Sequence, residues 1–331
     1  MKKSLKRELL RKRRLRRRRF KLVLCLIILL LFSKSIFNLN NKKIENVINE
    51  RNILLEVESK VKSEEVNTVN TVNFDEIINE CALEYKDNLS LYYYNFNTNE
   101  EYCHNGETYY VAASTTKIPL AMSVADDVFN WEYSMDSQIE YIESDYEEGT
   151  GVLYYQDYIN NVTVDEAIYL SIVYSDNITK NMLKRIVSTS TYDYINNITG
   201  DVLSNSNDNK YTARQLGEVL KKLYINENNN PYYNNILEYM KETIFHDRLD
   251  KYIPYEDVAH KIGNYYRYYH DIGIVYGEED YVLVIMTKDI GELDSSYYYD
   301  EDEIMLLDAG ELASEIIANI SLEIYNLVNK V

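Results

Sequence analysis

The chain has 331 residues, 46% of them apolar, enough to build a sizeable core in one large domain or two small ones. Its net charge of −19 is unevenly spread: residues 1–21 carry thirteen Lys or Arg and one Glu, net +12, which leaves −31 for the rest. So acidic a body, with 34 tyrosines, repels polyanions and argues against nucleic acid as a partner.

The basic run stops where "LVLCLIILLLF" begins, at residues 22–32. Lys and Arg beside an apolar segment stay on the cytoplasmic side. We therefore read residues 1–21 as a cytoplasmic topology signal, not a nucleic-acid-binding arm. The apolar run is eleven residues long, shorter than the roughly 20 of a clean membrane span. With "SKSIF" after it, and Lys34 snorkelling, it can still span. It also fits a signal-peptide core. No small-residue cleavage site follows, and Cys25 lies at the wrong end for lipid attachment. The expectation is an uncleaved signal anchor over 22–37 and a single-pass protein of the cell membrane, its bulk outside the cytoplasm. Cleavage of the anchor would release it as a secreted protein.

Residues 38–73 read as a stalk. Val47, Leu54 and Val61 stand seven apart on one helix face, and "NTVNTVN" is a polar linker. From residue 74 a compact domain is expected to run to 331. "FDEIINECALEY" reads as a helix, "LSLYYYNFN" as a strand, and "YCHNGETYYVAA" as its partner. Residues 114–255 read as mostly helical, with polar loops at 143–151 and 201–210. Three strands follow, "VAHKIGNYY", "YYHDIGIVYG" and "YVLVIMTKD", then a helix, "LLDAGELASEIIANISLEIYNLV". This order predicts an α+β domain: a five-stranded antiparallel sheet with terminal helices on one face and an all-helical lobe on the other. A cleft between the lobes is a natural place for a site.

Cys81 and Cys103 remain outside the apolar run, and the sequence leaves both a disulfide and two thiols open. His104, His246, His260 and His270 are scattered. No Cys/His spacing resembles a metal site, and no cofactor or metal is expected. The oligomeric state is left open.

The chemistry sits at the seams between elements. Ser114 and Lys117 form S-x-x-K in "YYVAASTTKIPLAM", where a strand-like run turns helical. The same spacing at Ser59 and Lys62 lies in the charged stalk and is accidental. Ser175-Asp176-Asn177 follows in "VYSDNITKNML", and Lys261 and Gly263 follow on a strand in "AHKIGNYY". S-x-x-K, S-D-N and K-[ST]-G, in that order, are the motifs of serine β-lactamases and penicillin-binding proteins. Over about residues 75–329 the chain resembles class A β-lactamases and related penicillin-recognising serine hydrolases.

That resemblance implies roles for the matching residues. Ser114 would be the nucleophile and Lys117, one turn away, its base. Lys261 would be a second cation disfavouring the Lys117 ammonium, and Ser175 the proton carrier to the leaving nitrogen. Asn177 would hold a substrate amide. The backbone N–H groups of Ser114 and Asn264 would bind the oxyanion. Tyr146 or a neighbour would line the cleft.

Two departures qualify the resemblance. Ile262 stands where the third motif has Ser or Thr, so the hydroxyl that grips a substrate carboxylate is missing. Arg267 or His270 are candidates to replace it; the alternative is a substrate that lacks that carboxylate. Between Asn177 and Thr212 there is no glutamate to activate the deacylating water; the acids there are Asp193, Asp201 and Asp208. Ser175 to Lys261 spans 86 residues, shorter than the family's usual interval. Three expectations follow: an acyl-enzyme hydrolase of β-lactams or related amides and esters; a slowly deacylating cell-wall peptidase that accepts a peptidoglycan-like peptide; or a non-catalytic surface module that kept the fold.

Overall fold

The computed structural model describes residues 73–201, 209–291 and 302–330. The basic segment, the anchor and the stalk, apart from Asn73, lie outside the described residues. Among the described residues no helix is long and apolar enough to cross a membrane.

The domain opens with α1 (Phe74–Ala82), whose N-cap Asn73 accepts from the Glu76 N–H and satisfies one orphan donor. A 3₁₀ turn over Leu83–Asn88 leads to β1 (Leu89–Asn95) and β2 (Glu101–His104). The helical lobe comprises α2 (Lys117–Phe129), α3 (Val164–Val173), α4 (Asn177–Ile186), α5 (Thr191–Thr199), α6 (Ala213–Ile225) and α7 (Pro231–Lys241). Strands β7 (Val258–Tyr265), β8 (Tyr268–Val275) and β9 (Tyr281–Lys288) complete the sheet, and α8 (Asp302–Asn329) closes the chain. Two short ladders supplement it: β3 (Tyr110–Val111) with β6 (Lys210–Tyr211), and β4 (Gln138–Ile139) with β5 (Val162–Thr163).

The five strands run antiparallel in the order β2-β1-β9-β8-β7. Side chains alternate between the two faces with period two. Leu89, Leu91 and Tyr93 of β1, with Leu283 and Ile285 of β9, pack with Phe74 and Ile78 of α1 and Ile317, Ile320 and Ile324 of α8. Tyr92, Val282, Val284 and Met286 point the other way, into the core shared with α2 and α6. The central strand β9 is apolar on both sides, as a strand buried on both faces must be.

The expected α+β architecture is therefore the observed one. One element differs. The run 102–113, read as a single strand, breaks after His104 and re-forms as β3, which pairs outside the main sheet. Asn105, at φ +49°, makes the break, and its Nδ2 donates to the Leu89 carbonyl. No disulfide joins Cys81 to Cys103.

Helix α6 reaches the sheet through Gly217. A Cβ there would stand 2.1 Å from Cδ1 of the fully buried Tyr92 ring. That ring is pinned by its hydroxyl, which donates to Glu218 at 2.9 Å. Gly217→Ala is expected to cost about 1–3 kcal/mol by overpacking. Urea denaturation checks this as a lowered midpoint with an unchanged slope.

Candidate active site

The three motifs converge on one cleft of ≈ 1290 Å³, lined among others by Ser114, Lys117, Ser175, Asn177, Ile262 and Asn264. A smaller cavity of ≈ 350 Å³, on α5, α6 and α7, holds none of them.

Ser114 lies in a 3₁₀ turn, Ala113–Thr116, that runs directly into α2. Ala113, at φ +51°, turns the chain from β3 into that helix. A non-glycine residue there stores strain of the kind concentrated at functional sites. Strand β7 comes against this turn through Gly263. A Cβ at 263 would stand 2.8 Å from the Ala112 carbonyl and 2.9 Å from Thr115 Cγ2. Only glycine lets the sheet edge approach the nucleophile segment so closely. Because β7 is the edge strand, one side of its backbone is left unpaired along the cleft.

Lys117 is 1% exposed. Its Nζ meets the Ser175 carbonyl at 2.5 Å, Ser175 Oγ at 3.0 Å and Asn177 Oδ1 at 3.0 Å. Burial holds its pKa well below the usual lysine range, and the charges of Lys261 and Lys180 push the same way. A neutral amine has two N–H groups to share among these three acceptors, which leaves its lone pair free to take a proton. That arrangement is a ready proton path. Among the described residues Ser114 Oγ makes no hydrogen bond; such contacts often tighten only when substrate is bound.

Lys261 is fully buried, with Nζ on the Ile262 carbonyl at 3.3 Å and 5.4 Å from the centre of the Phe245 ring. Burial brings its pKa down to about 7; Asp271 opposes the shift and Arg248 adds to it.

Ser175 sits at φ +54°. Asp176 N-caps α4 through Thr179 N (2.9 Å) and also accepts from Val152 N (2.7 Å) and Leu153 N (2.9 Å). Gly151, at φ +118°, fits against it where a Cβ would stand 2.2 Å from its carboxylate. Asp176 thus ties the 149–153 loop to the start of α4 and sets Ser175 and Asn177 over Lys117. Asn177 Nδ2 adds a bond to the Glu148 carbonyl at 3.0 Å.

A nucleophile-bearing helical turn, a buried lysine held by a serine and an asparagine, and a glycine-bearing edge strand form one constellation. The sequence profile of the β-lactamase enzyme family matches residues 73–328. The chain belongs to that family. It is thus a serine hydrolase by family.

Solved structures repeat the fold. PBP-A is 21% identical, with a TM-score of 0.64, over 78% of this chain and 97% of that one. The β-lactamase from Sphaerobacter thermophilus is 18% identical, with a TM-score of 0.65, over 79% and 99%. One from Chitinophaga pinensis is 19% identical, with a TM-score of 0.66, over 78% and 100%. No curated protein matches the chain.

Four side chains expected at this β-lactamase-type site are off the cleft lining: Lys261 is buried behind it against Ile262 and Phe245, and three others stand elsewhere. Tyr146 is not among the lining residues; its hydroxyl donates to Glu148, while its neighbours Glu147, Gly149 and Thr150 line the cleft. Arg267 sits in the β7–β8 turn, where its guanidinium is turned to the Ile290 and Gly291 carbonyls and Asp289. His270 is buried, with Nδ1 accepting from Thr287 N and Nε2 donating to the Val111 carbonyl. Burial pushes its pKa down to about 4, so it is a neutral strut. Neither Arg267 nor His270 supplies the donor lost at Ile262.

Of the other residues, Glu147 answers the expectation for a neighbour of Tyr146, and Arg248 goes unseen in the motif reading. Glu147 lines the cleft, ion-paired to Lys180 at 2.7 Å and bonded to Asn181 at 2.9 Å. Arg248, 2% exposed, donates to Asn264 Oδ1 at 2.6 Å, to the His270 carbonyl and to Ser314. A guanidinium only donates, so it fixes the oxygen of the Asn264 amide and leaves the Nδ2 donors for whatever enters the cleft. No local motif marks Arg248; only the fold brings it here.

Replacing Asp176 by Ala strands three backbone N–H groups, two of them at the loop that covers the site. A loss of about 3 kcal/mol or more is expected. Chemical denaturation measures it, and a change below about 1 kcal/mol would contradict the bracing role.

Proposed function

We propose that this chain is a membrane-anchored, extracytoplasmic hydrolase that opens β-lactams or related amide and ester carbonyls through an acyl-enzyme at Ser114. The observation that carries the reading is Lys117: buried, short of charge stabilisation, and bonded to both Ser175 and Asn177 beside the nucleophile turn. An amine disfavoured as ammonium is a competent base at neutral pH. Neutral Lys117 takes the Ser114 proton as Oγ attacks the carbonyl. The backbone N–H groups of Ser114 and Asn264 receive the developing oxyanion, where one donor is typically worth about 2.7–4 kcal/mol of barrier. Ser175 passes the proton from Lys117 to the leaving nitrogen. Lys261 acts from beneath the wall, as a charge felt by Lys117. A variant of PBP-A solved as an acyl-enzyme with penicillin G supports a β-lactam as the probe substrate.

Slow deacylation, as in a penicillin-binding D,D-peptidase, is favoured by one observation. Among the described lining residues the carboxylates are Glu147 and Asp193. Glu147 is engaged by Lys180 and Asn181, and Asp193 accepts from the Ser190 hydroxyl at 2.6 Å. Each has one oxygen engaged, which lowers its basicity toward a water. The extracytoplasmic placement rests on the basic and apolar segments at residues 1–32.

Intact-protein mass spectrometry with a penicillin tests the proposal. A drug-sized adduct is expected on the wild type and not on Ser114→Ala, persisting for hours. An adduct lost in seconds would mean another group activates water; none at all would overturn the β-lactam reading.

The pH dependence has a definite sign. The base works deprotonated, so the acylation rate falls as pH drops through the lowered Lys117 pKa. The rate should rise with pH and level off well below the ordinary lysine value of 10.5. A rise that continues to pH 10.5 would remove Lys117 from the role.

A further inference from the structure

The fold gathers histidines that the sequence leaves scattered. His246 and Asp250 lie on the irregular segment after α7, and His260 lies on β7. One nitrogen of each imidazole and one oxygen of the carboxylate all stand within 4.8 Å of one another. Both imidazoles face the same Asp250 oxygen, His260 Nε2 at 3.2 Å and His246 Nδ1 in closer contact.

Two observations point to an occupant. His260 is fully buried, and its Nε2 faces Asp250 at 3.2 Å without making a well-formed hydrogen bond. The other Asp250 oxygen, Oδ1, is also buried and unpartnered, and Asp250 is 4% exposed. Burial without a partner costs several kcal/mol for groups of this polarity. The second observation concerns orientation. His260 Nδ1 is held by the Asp271 carboxylate at 2.8 Å, and Asp271 is itself fixed by the Leu249 N–H at 3.0 Å. A carboxylate on one imidazole nitrogen sets the tautomer and turns the other nitrogen's lone pair outward, the usual support of a metal-bound histidine.

We propose that His246, Asp250 and His260 form a binding site for a divalent transition-metal ion of the zinc type. Two imidazoles and one carboxylate suit zinc, which such ligands bind at about 2.0–2.2 Å in tetrahedral geometry. Ligand atoms around such an ion stand about 3.4 Å apart, close to the spacing between His260 Nε2 and Asp250. The His246 side chain is 46% exposed, so an ion has a route in and water can take the fourth position. The role of the ion is structural. It ties β7 to the 245–250 segment, which carries Phe245 against Lys261 and Arg248 against Asn264. It would hold the cleft wall without touching substrate.

The test is made on the full-length purified protein, with zinc alone as the probe. Metal analysis after dialysis against zinc and gel filtration should give one equivalent per chain. His246→Ala, a surface change that leaves the core intact, should bring this below about a tenth. With zinc a hundredfold above its Kd, thermal unfolding should shift upward by roughly 5 °C in the wild type and not in His246→Ala. Asp250→Asn should lose the shift as well. Zinc absent from the wild type, or bound equally by His246→Ala, would overturn the proposal and leave the cluster as an ion-pair network.

Discussion

The structure depends on keeping one lysine amine dry. Lys117 sits at the start of α2, and its Nζ reaches across to the loop that begins α4, meeting the Ser175 carbonyl, Ser175 Oγ and Asn177 Oδ1. A buried ammonium is costly unless every donor is met. The two segments are therefore held together around the amine, while burial and the nearby Lys261 and Lys180 charges lower its pKa. Asp176 supplies the opposing constraint. It takes three backbone N–H groups, so the loop cannot drift from the amine it covers.

The sheet edge supplies the second wall. Gly263 brings β7 to within van der Waals reach of the turn carrying Ser114. Arg248, buried beneath it, sets the Asn264 amide. Precision on this side comes from a chain of polar contacts running outward from the cleft: Asn264 to Arg248, and Arg248 to the His270 carbonyl and Ser314 of α8. A terminal helix far along the chain thus helps position a cleft residue.

Much of this was legible in sequence because it is local. The apolar runs of β1 and β9, the helical spacing in α6 and α8, and the three short motifs are each read over neighbouring residues. The order of elements then sets which faces are covered. What stayed hidden is non-local. Arg248 belongs to no motif, and its partner Asn264 is 16 residues away. Arg267 and His270 look like plausible anion donors by chain distance from Ile262. The antiparallel register, however, commits Arg267 to the turn at 289–291 and His270 to the interior. The histidines looked scattered for the same reason: His246 and His260 meet only because the chain after α7 folds back along β7.

Of the two departures from the family pattern, Ile262 bears on substrate binding and the missing glutamate on deacylation. Acylation needs a nucleophile, a base and oxyanion donors, and the residues suited to those tasks sit together at the cleft. Hydrolysis of the acyl-enzyme needs more: a carboxylate with an unshared lone pair facing a water beside the ester. The cleft does contain acids, so the lack of a glutamate after the second motif is not by itself decisive. Glu147 spends its Oε2 on the Lys180 ammonium and the Asn181 amide, and Asp193 is held by the cap of its own helix. Lys180 also adds to the positive field that keeps Lys117 neutral. Freeing Glu147 by removing Lys180 would relax that field and weaken the base for the first step.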